Sequence, residues 1–295
     1  MDTDQNFFKK NGYLLKKNLI DKKTIDKINK VVNEVVAQDK PKNKKKIKNG
    51  TQSYDNYHFV YNSNSSKNKE ILRLNNPQNR HKIFYDLSRN KKIISIVKKL
   101  IGGSVRFHLG KLNFKLPNKK KGSEVGWHQD WAFYPHTNDD LVTVGIYLDD
   151  CTEKNGPLKV IPGSHKLKIF DHHQNGYFVG KINTKKEKIN TKKSVSLVGA
   201  AGSVTFHHVR TLHSSALNLT KNFRPLLLYG YSSVDSWPLC YDQDSSINPN
   251  INLKAYDKLI LKGKPTLIPR LNNVPIIMPL PRESDSIFQL QNQKK

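Results

Sequence analysis

The segment Gly126-Trp-His-Gln-Asp130 is the part of this chain best equipped for chemistry. Two residues apart on an extended backbone, His128 and Asp130 project from one face. An imidazole beside a carboxylate supplies two of the three groups of the 2-His-1-carboxylate triad that holds non-haem Fe(II). Such a triad fills one face of an octahedron and leaves three positions for a bidentate oxoacid and O2. The third ligand must come from elsewhere among the eleven histidines. His213 is the best placed, because several strands fit between it and His128. It is also followed by Arg224, which enters the apolar run Pro225-Leu-Leu-Leu-Tyr229. An arginine at the mouth of a buried strand needs an anionic partner. A dicarboxylate gripped by the guanidinium fork supplies one; a protein carboxylate is the alternative. His207 and His208 stand close before His213 and are next in line as third ligand, although one of an adjacent pair on a strand faces the core. Imidazole binds a metal only when neutral, so activity is expected to fall below about pH 6.

The elements that position these groups change character at Gly103. Before it the pattern is mainly helical: Asp4 to Asn11, ended by Gly12; Asp21 to Gln38, with Asp21 as cap and apolar residues at Ile25, Ile28, Val31, Val32, Val35 and Val36; and two patterns over Asn79 to Leu100. Lysine-rich Asp39 to Lys69 reads as a loop or exposed excursion. After Gly103 the period becomes two. Val105 to Lys115, Leu141 to Leu148, Leu158 to Ile161, Ser203 to His208 and Arg224 to Tyr231 read as strands between Asn-Gly, Pro-Gly and Ala-Gly turns. Many short strands predict a β-sandwich or jelly roll, with the leading helices packed on one outer face. Residues after Pro279 are polar and are expected to be frayed. Trp131, Phe133 and Tyr134 should wall the cavity, Asp171-His-His173 should lie at its mouth, and Trp237-Pro238 reads as packing. Residues 39–69 and 165–193 are expected to shape its entrance.

Composition narrows the class. Lys+Arg is 51 against 24 for Asp+Glu, a formal charge of +27, with Lys40 to Asn49 the densest run. The lysine is scattered, travels with asparagine and lacks interleaved aromatics, so the reading is genomic bias and solvated faces, with no specific nucleic-acid partner. Cys151 and Cys240 have no metal or redox spacing, which favours a reducing compartment. No signal-like leader and no apolar run of about 18 residues occurs. The expected location is the cytoplasm, with no membrane span. Oligomeric state is left open by the sequence.

Asn11-Gly-Tyr13, Trp127-His-Gln-Asp130, Asn155-Gly-Pro-Leu-Lys-Val-Ile-Pro-Gly-Ser-His165 and the segment from His213 to Arg224 together resemble the phytanoyl-CoA dioxygenase family of Fe(II)/2-oxoglutarate oxygenases. The resemblance runs from about Asn11 to Asp235. It implies a double-stranded β-helix (jelly-roll, cupin-like) core flanked by α-helices. The expected organisation is one dioxygenase domain over residues 1–295: helical support over 1–103, the core over 104–235 and a C-terminal extension over 236–295. By this resemblance His128, Asp130 and His213 match the iron ligands, and Arg224 matches the residue that pairs with the distal carboxylate of 2-oxoglutarate. Ser215 matches a hydroxyl that assists it. Asn113 matches an amide that contacts the co-substrate in relatives such as ectoine hydroxylase. There the pattern departs, since Leu109 follows His108 where that relative has glutamine. The implied reaction consumes O2 and 2-oxoglutarate, releases succinate and CO2, and hydroxylates a small-molecule metabolite that the sequence does not identify. The rival readings are a non-catalytic binding module on the same fold, a cupin-type metal protein without an oxoacid, and an oxygenase acting on nucleic acid.

Overall fold

A computed structural model describes residues 3–37, 51–54, 57–61, 70–117, 123–240, 252–279 and 287–292. In chain order it contains α1 (Thr3–Asn11), β1 (Tyr13–Lys16), α2 (Lys22–Ala37), β2 (Thr51–Tyr54), β3 (Tyr57–Tyr61), β4 (Ile71–Asn75), α3 (Lys82–Leu87), α4 (Lys91–Leu100), β5 (Val105–Lys115), β6 (Val125–His128), β7 (Leu141–Tyr147) and β8 (Leu158–Val160). These are followed by β9 (His173–Gln174), β10 (Tyr177–Phe178), β11 (Val195–Leu197), β12 (Val204–His208), β13 (His213–Ser215), β14 (Arg224–Ser232), α5 (Leu253–Asp257), β15 (Ile260–Lys262) and α6 (Ile287–Asn292). The large sheet runs β1-β12-β7-β14-β5-β4-β3-β2, with β15 also pairing β5; the small one runs β11-β8-β13-β6. Every pairing is antiparallel. The strands β5–β8 and β11–β14 alternate between the two sheets, which is the double-stranded β-helix.

The helices cover the outer face of the large sheet, as their apolar stripes require. Asp21 caps α2 by accepting the Thr24 backbone N–H and hydroxyl, each at 2.8 Å. Ile25, Ile28, Val31, Val32 and Val35 of α2 share one core with Phe84, Ile93 and Val97 of α3 and α4. Phe107, Leu112, Val144, Phe206 and Tyr229 of the sheet complete it. Burying each aliphatic chain contributes roughly 1.5–3 kcal/mol. Two tyrosines tie helix to sheet, Tyr229 donating to the Phe84 carbonyl at 2.7 Å and Tyr231 to that of Ser88 at 2.8 Å.

Two expectations need correction. Asp39 to Lys69 does not read through as loop: β2 and β3 extend the large sheet there, and the rest of that stretch, with the run Lys40 to Asn49, lies outside the described residues. Lysine and asparagine mask the β pattern of Tyr57-His-Phe-Val-Tyr61 because its flanks carry the charge. The tail after Pro279 is not frayed throughout. Its α6 buries Phe288, Leu290 and Gln291 against the barrel. The strand β14 does not pair with β13. It crosses to the large sheet between β5 and β7, so Arg224 approaches the cavity from the wall opposite His213.

The family markers have structural reasons. Gly12 has φ +78°, and a Cβ there would lie 2.4 Å from His165 Nδ1. Its carbonyl accepts the Thr211 hydroxyl at 2.7 Å, and the neighbouring Asn11 carbonyl accepts the Gly163 N–H at 2.8 Å. The Asn-Gly-Tyr and Pro-Gly-Ser-His segments are thus two halves of one contact that braces the approach to His213.

Candidate active site

The geometry that joins the two histidines is a backbone register. His128 ends β6 and His213 begins β13, and they are direct partners in the antiparallel ladder, their rings 4.0 Å apart. Each turns Nδ1 onto a carbonyl two residues back: His128 to Gly126 and His213 to Thr211, both at 2.8 Å. A proton on Nδ1 leaves both Nε2 lone pairs facing the same point, the tautomer a metal requires. Asp130 Oδ1 lies 3.7 Å from His128 Nε2 and 3.6 Å from His213 Nε2. All three ligand atoms fall within 4.8 Å of one another.

Asp130 reaches this point by a route the period-two argument did not foresee. The strand stops at His128, and Asp130 opens a 3₁₀ turn over Asp130–Ala132. Gln129 pins the bend. It is fully buried; its backbone N–H donates to His172 Nε2 at 2.9 Å, its amide group donates to the Lys168 and Arg210 carbonyls, and its Oε1 accepts the Phe170 N–H. Asp130 Oδ2 accepts the Thr143 hydroxyl at 2.7 Å, which leaves Oδ1 for a metal. His207 Nε2 stands 3.4 Å from the same Oδ2.

The electrostatics suit a cation. Burial alone would raise the Asp130 carboxyl, but the His213, His207 and His128 imidazoles outweigh it and hold the group well below its ordinary range. Burial pushes His213 down to about 4, with Asp130 opposing. Burial and the neighbouring His213 also carry His128 well below 6.5. Both imidazoles therefore stay neutral below the pH 6 expected from free imidazole. Two neutral nitrogen donors and one ionised oxygen are the donor set of Fe(II) in such triads, so these residues fit the metal.

The triad lines a cavity of about 120 Å³ that opens between the two sheets. Arg224 lines it too, 3 % exposed, with Nε donating to the Asn155 carbonyl at 2.9 Å and one Nη to that of Gly156 at 2.7 Å. Among the described residues no carboxylate lies within 4 Å of it, so the protein-carboxylate alternative fails. The Asn155-Gly-Pro motif is the turn that holds this guanidinium. Ser215 and Asn113 line the same cavity, and Asn113 Oδ1 accepts Arg73 Nε at 2.9 Å.

Sequence reasoning missed several neighbours. Lys115 is buried beside Arg224 and gives its ammonium protons to the Ser123, Ala216 and Ser215 carbonyls; burial lowers its pKa well below the usual lysine range. Arg73 comes from β4, whose strand nature was legible only through its partner β5. Phe288 of α6 lines the cavity and carries the Arg73 guanidinium over its ring at 5.2 Å. Gln291 fastens α6 by accepting the Gly126 N–H at 2.6 Å and donating to the Gly180 carbonyl at 2.6 Å. Period-three spacing over six residues of a polar tail was too short a signal to find it. Phe133 and Tyr134 wall the cavity as expected, while Trp131 packs beneath it and donates to the Pro275 carbonyl. Residues 165–193 do not line it, and His172 is a core residue supporting Gln129. Trp237 stacks at a tilt on Tyr256, in agreement with a packing role.

Known proteins share this arrangement of sequence. Residues 8–226 match the family described as "Phytanoyl-CoA dioxygenase (PhyH)". The chain belongs to that family. A "Probable alpha-ketoglutarate-dependent hypophosphite dioxygenase" of Stutzerimonas stutzeri is 39% identical over 234 residues, which cover 77% of this chain and 78% of the relative. The "L-proline trans-4-hydroxylase" of Streptomyces griseoviridis is 31% identical over 172 residues, 52% of this chain and 63% of the relative. In fold, the crystal structure of EctD from S. alaskensis with bound Fe superposes with a TM-score of 0.63 at 20% identity, covering 79% of this chain and 77% of EctD. This PhyH-family chain is an Fe(II)- and 2-oxoglutarate-dependent dioxygenase. No helix among the described residues is long and apolar enough to cross a membrane.

Proposed function

We propose that this dioxygenase oxidises a small oxyanion, with hypophosphite as the first compound to test. The observation that carries the reading is the cavity. Its roughly 120 Å³ is well below the 300–1,000 Å³ or so of drug-sized sites. Among the described residues four basic side chains line it, Arg73, Lys111, Lys115 and Arg224, against one carboxylate, Asp130. Arg224 and Lys115 belong to the 2-oxoglutarate corner, and Arg73 and Lys111 add positive charge that favours an anionic substrate. The 39% identical relative carries hypophosphite in its name, which agrees with this chemistry.

In this reading His128 Nε2, His213 Nε2 and Asp130 Oδ1 hold Fe(II), which supplies the activation of O2 when bound. Thr143 fixes the remaining Asp130 oxygen, so the carboxylate presents one atom. Arg224 takes the distal carboxylate of 2-oxoglutarate with help from the Ser215 hydroxyl, and Lys115 stiffens that corner through the Ser215 and Ala216 carbonyls. Asn113 has its oxygen committed to Arg73 and offers Nδ2–H to the co-substrate. The basic lining draws in the anion, and Phe288 of α6 with Phe133 and Tyr134 excludes bulk water. For hypophosphite the balance is one O2 and one 2-oxoglutarate consumed, one P–H bond replaced by P–OH to give phosphite, and succinate and CO2 released.

The test is succinate formation by the Fe(II)-loaded protein against hypophosphite, phosphite, methylphosphonate, L-proline and ectoine. Stimulation by hypophosphite, with phosphite appearing in equal amount, is expected. Stimulation by proline or ectoine alone would overturn the oxyanion reading.

A further inference from the structure

Most buried imidazoles near the site have their ring nitrogens occupied. His128 and His213 use Nδ1 on carbonyls, and His172 uses both nitrogens, on the Phe170 carbonyl and the Gln129 N–H. His136 and His165 each leave one buried nitrogen without a hydrogen bond, and neither lines the cavity. His207 is different on both counts. It is 2 % exposed, it lines the cavity, and Nδ1 and Nε2 both lie buried with no hydrogen-bond partner. A polar group in that condition costs its full desolvation unless something else meets it.

The position narrows what that something is. On β12 His207 pairs with Tyr13 of β1 on one side and Thr143 of β7 on the other, so its backbone is held from both edges. Its ring stands 4.5 Å from that of His213. Its Nε2 is 3.4 Å from Asp130 Oδ2, but that oxygen already accepts the Thr143 hydroxyl at 2.7 Å, so His207 has only a long, poorly aligned contact there. It also stands outside the three-residue cluster that can hold a metal. A histidine at the edge of the metal site, neither ligand nor satisfied, is a donor waiting for an acceptor on whatever binds there.

We infer that His207 is a substrate-binding residue that donates a ring N–H to an oxygen of the oxyanion seated beside the metal. The inference rests on the small-oxyanion reading above. Hypophosphite carries acceptors and no donors, so a donor at the metal's edge orients its oxygen away from the reacting centre and leaves P–H facing it. The basic side chains attract the anion from a distance, whereas this one short contact sets its orientation.

The experiment is calorimetric titration of the anaerobic Fe(II)- and 2-oxoglutarate-loaded protein with sodium hypophosphite, for wild type, H207A and H207Q. Fe(II) affinity is measured separately by competition with a chelator, and 2-oxoglutarate affinity by titration. H207A should weaken hypophosphite binding by about 10- to 100-fold, the loss of one hydrogen bond to a charged group, while Fe(II) and 2-oxoglutarate affinities hold. H207Q keeps an N–H donor and should recover part of the loss. Unchanged hypophosphite affinity in H207A would overturn the inference. So would a fall in Fe(II) affinity that accounts for the whole effect, since His207 would then act only by orienting Asp130. No response of the wild type to hypophosphite, phosphite or methylphosphonate would remove the oxyanion reading and this inference with it; a wild-type response that H207A matches removes this inference alone.

Discussion

The two faces of the large sheet are built from the same strands and carry opposite chemistry. On β5, Phe107 and Leu112 sink into the helical layer, while Lys111, Asn113 and Lys115 line the cavity. On β14, Leu227, Tyr229 and Tyr231 face the helices, and Arg224, Leu226 and Leu228 face the site. On β12, Phe206 and His207 are neighbours in sequence on opposite sides. The outer face is held by packing, so what matters there is volume. The inner face is held by donors, acceptors and charge, so what matters there is atom type. A one-residue slip of any of these strands would exchange the two sets, which is why register is so strongly determined here.

The sharpest way to break this comparison is at the triad. His128→Ala, Asp130→Ala and His213→Ala should each abolish tight Fe(II) binding and turnover while the fold survives, because the outer core is untouched. Iron content of anaerobically purified protein and its circular dichroism check this; full iron occupancy in His213→Ala would show the wrong third ligand.

The outer face should respond in the reverse sense. Ile28→Ala, at a fully buried position of α2, should cost about 2–5 kcal/mol of unfolding free energy. The protein that remains folded should keep its affinity for Fe(II) and 2-oxoglutarate. A change in either affinity would mean the two faces are coupled.

Arg224→Ala should raise the 2-oxoglutarate requirement by a factor on the order of 100 or more, since removing one partner of a buried charged pair typically costs about 3–5 kcal/mol. Arg224→Lys should rescue part of it, because the fork is lost. Iron binding should survive both. Turnover without any oxoacid would point to a cupin-type enzyme.

A pH dependence tests the buried imidazoles themselves. Burial lowers His172 to about 4, His208 to about 3 and His213 to about 4. The unfolded chain titrates these near 6.5. Between about pH 6.5 and 4 the unfolded state therefore binds more protons, and the metal-free protein's stability is full above that window and is lost as pH falls through it. Melting temperatures of metal-free protein at stepped pH should decline steadily across this range; a flat profile would contradict the buried neutral imidazoles.

The sequence made the outer face and the strands of the core readable, because period-two and helical patterns depend on burial alone. His128, Asp130 and His213 were legible as residue types, yet the reason offered for Asp130 was wrong: it sits beyond the strand on a turn pinned by Gln129. Arg224 was legible from an apolar run that an arginine interrupts. His207 was legible only as a reserve ligand, and Arg73 was not legible, since it looks in sequence like one more polar residue on a strand; the sheet order brings both to the cavity. The helix α6 was hidden by its shortness and by the lysine and asparagine around it.

The contact between Gly12 and Thr211 joins residues 199 apart along the chain. It belongs with the β1–β12 ladder, which sets Tyr13 beside His207. During synthesis the early segment must therefore wait for most of the chain before its partner exists. Closing so long a loop adds only a slowly growing entropic cost, but domains dominated by such distant pairings fold in milliseconds to seconds. Thr211 holds His213 Nδ1 through its carbonyl, so the joint that ends this wait is the same one that orients a metal ligand. His213 is therefore oriented through a joint whose two halves lie 199 residues apart along the chain.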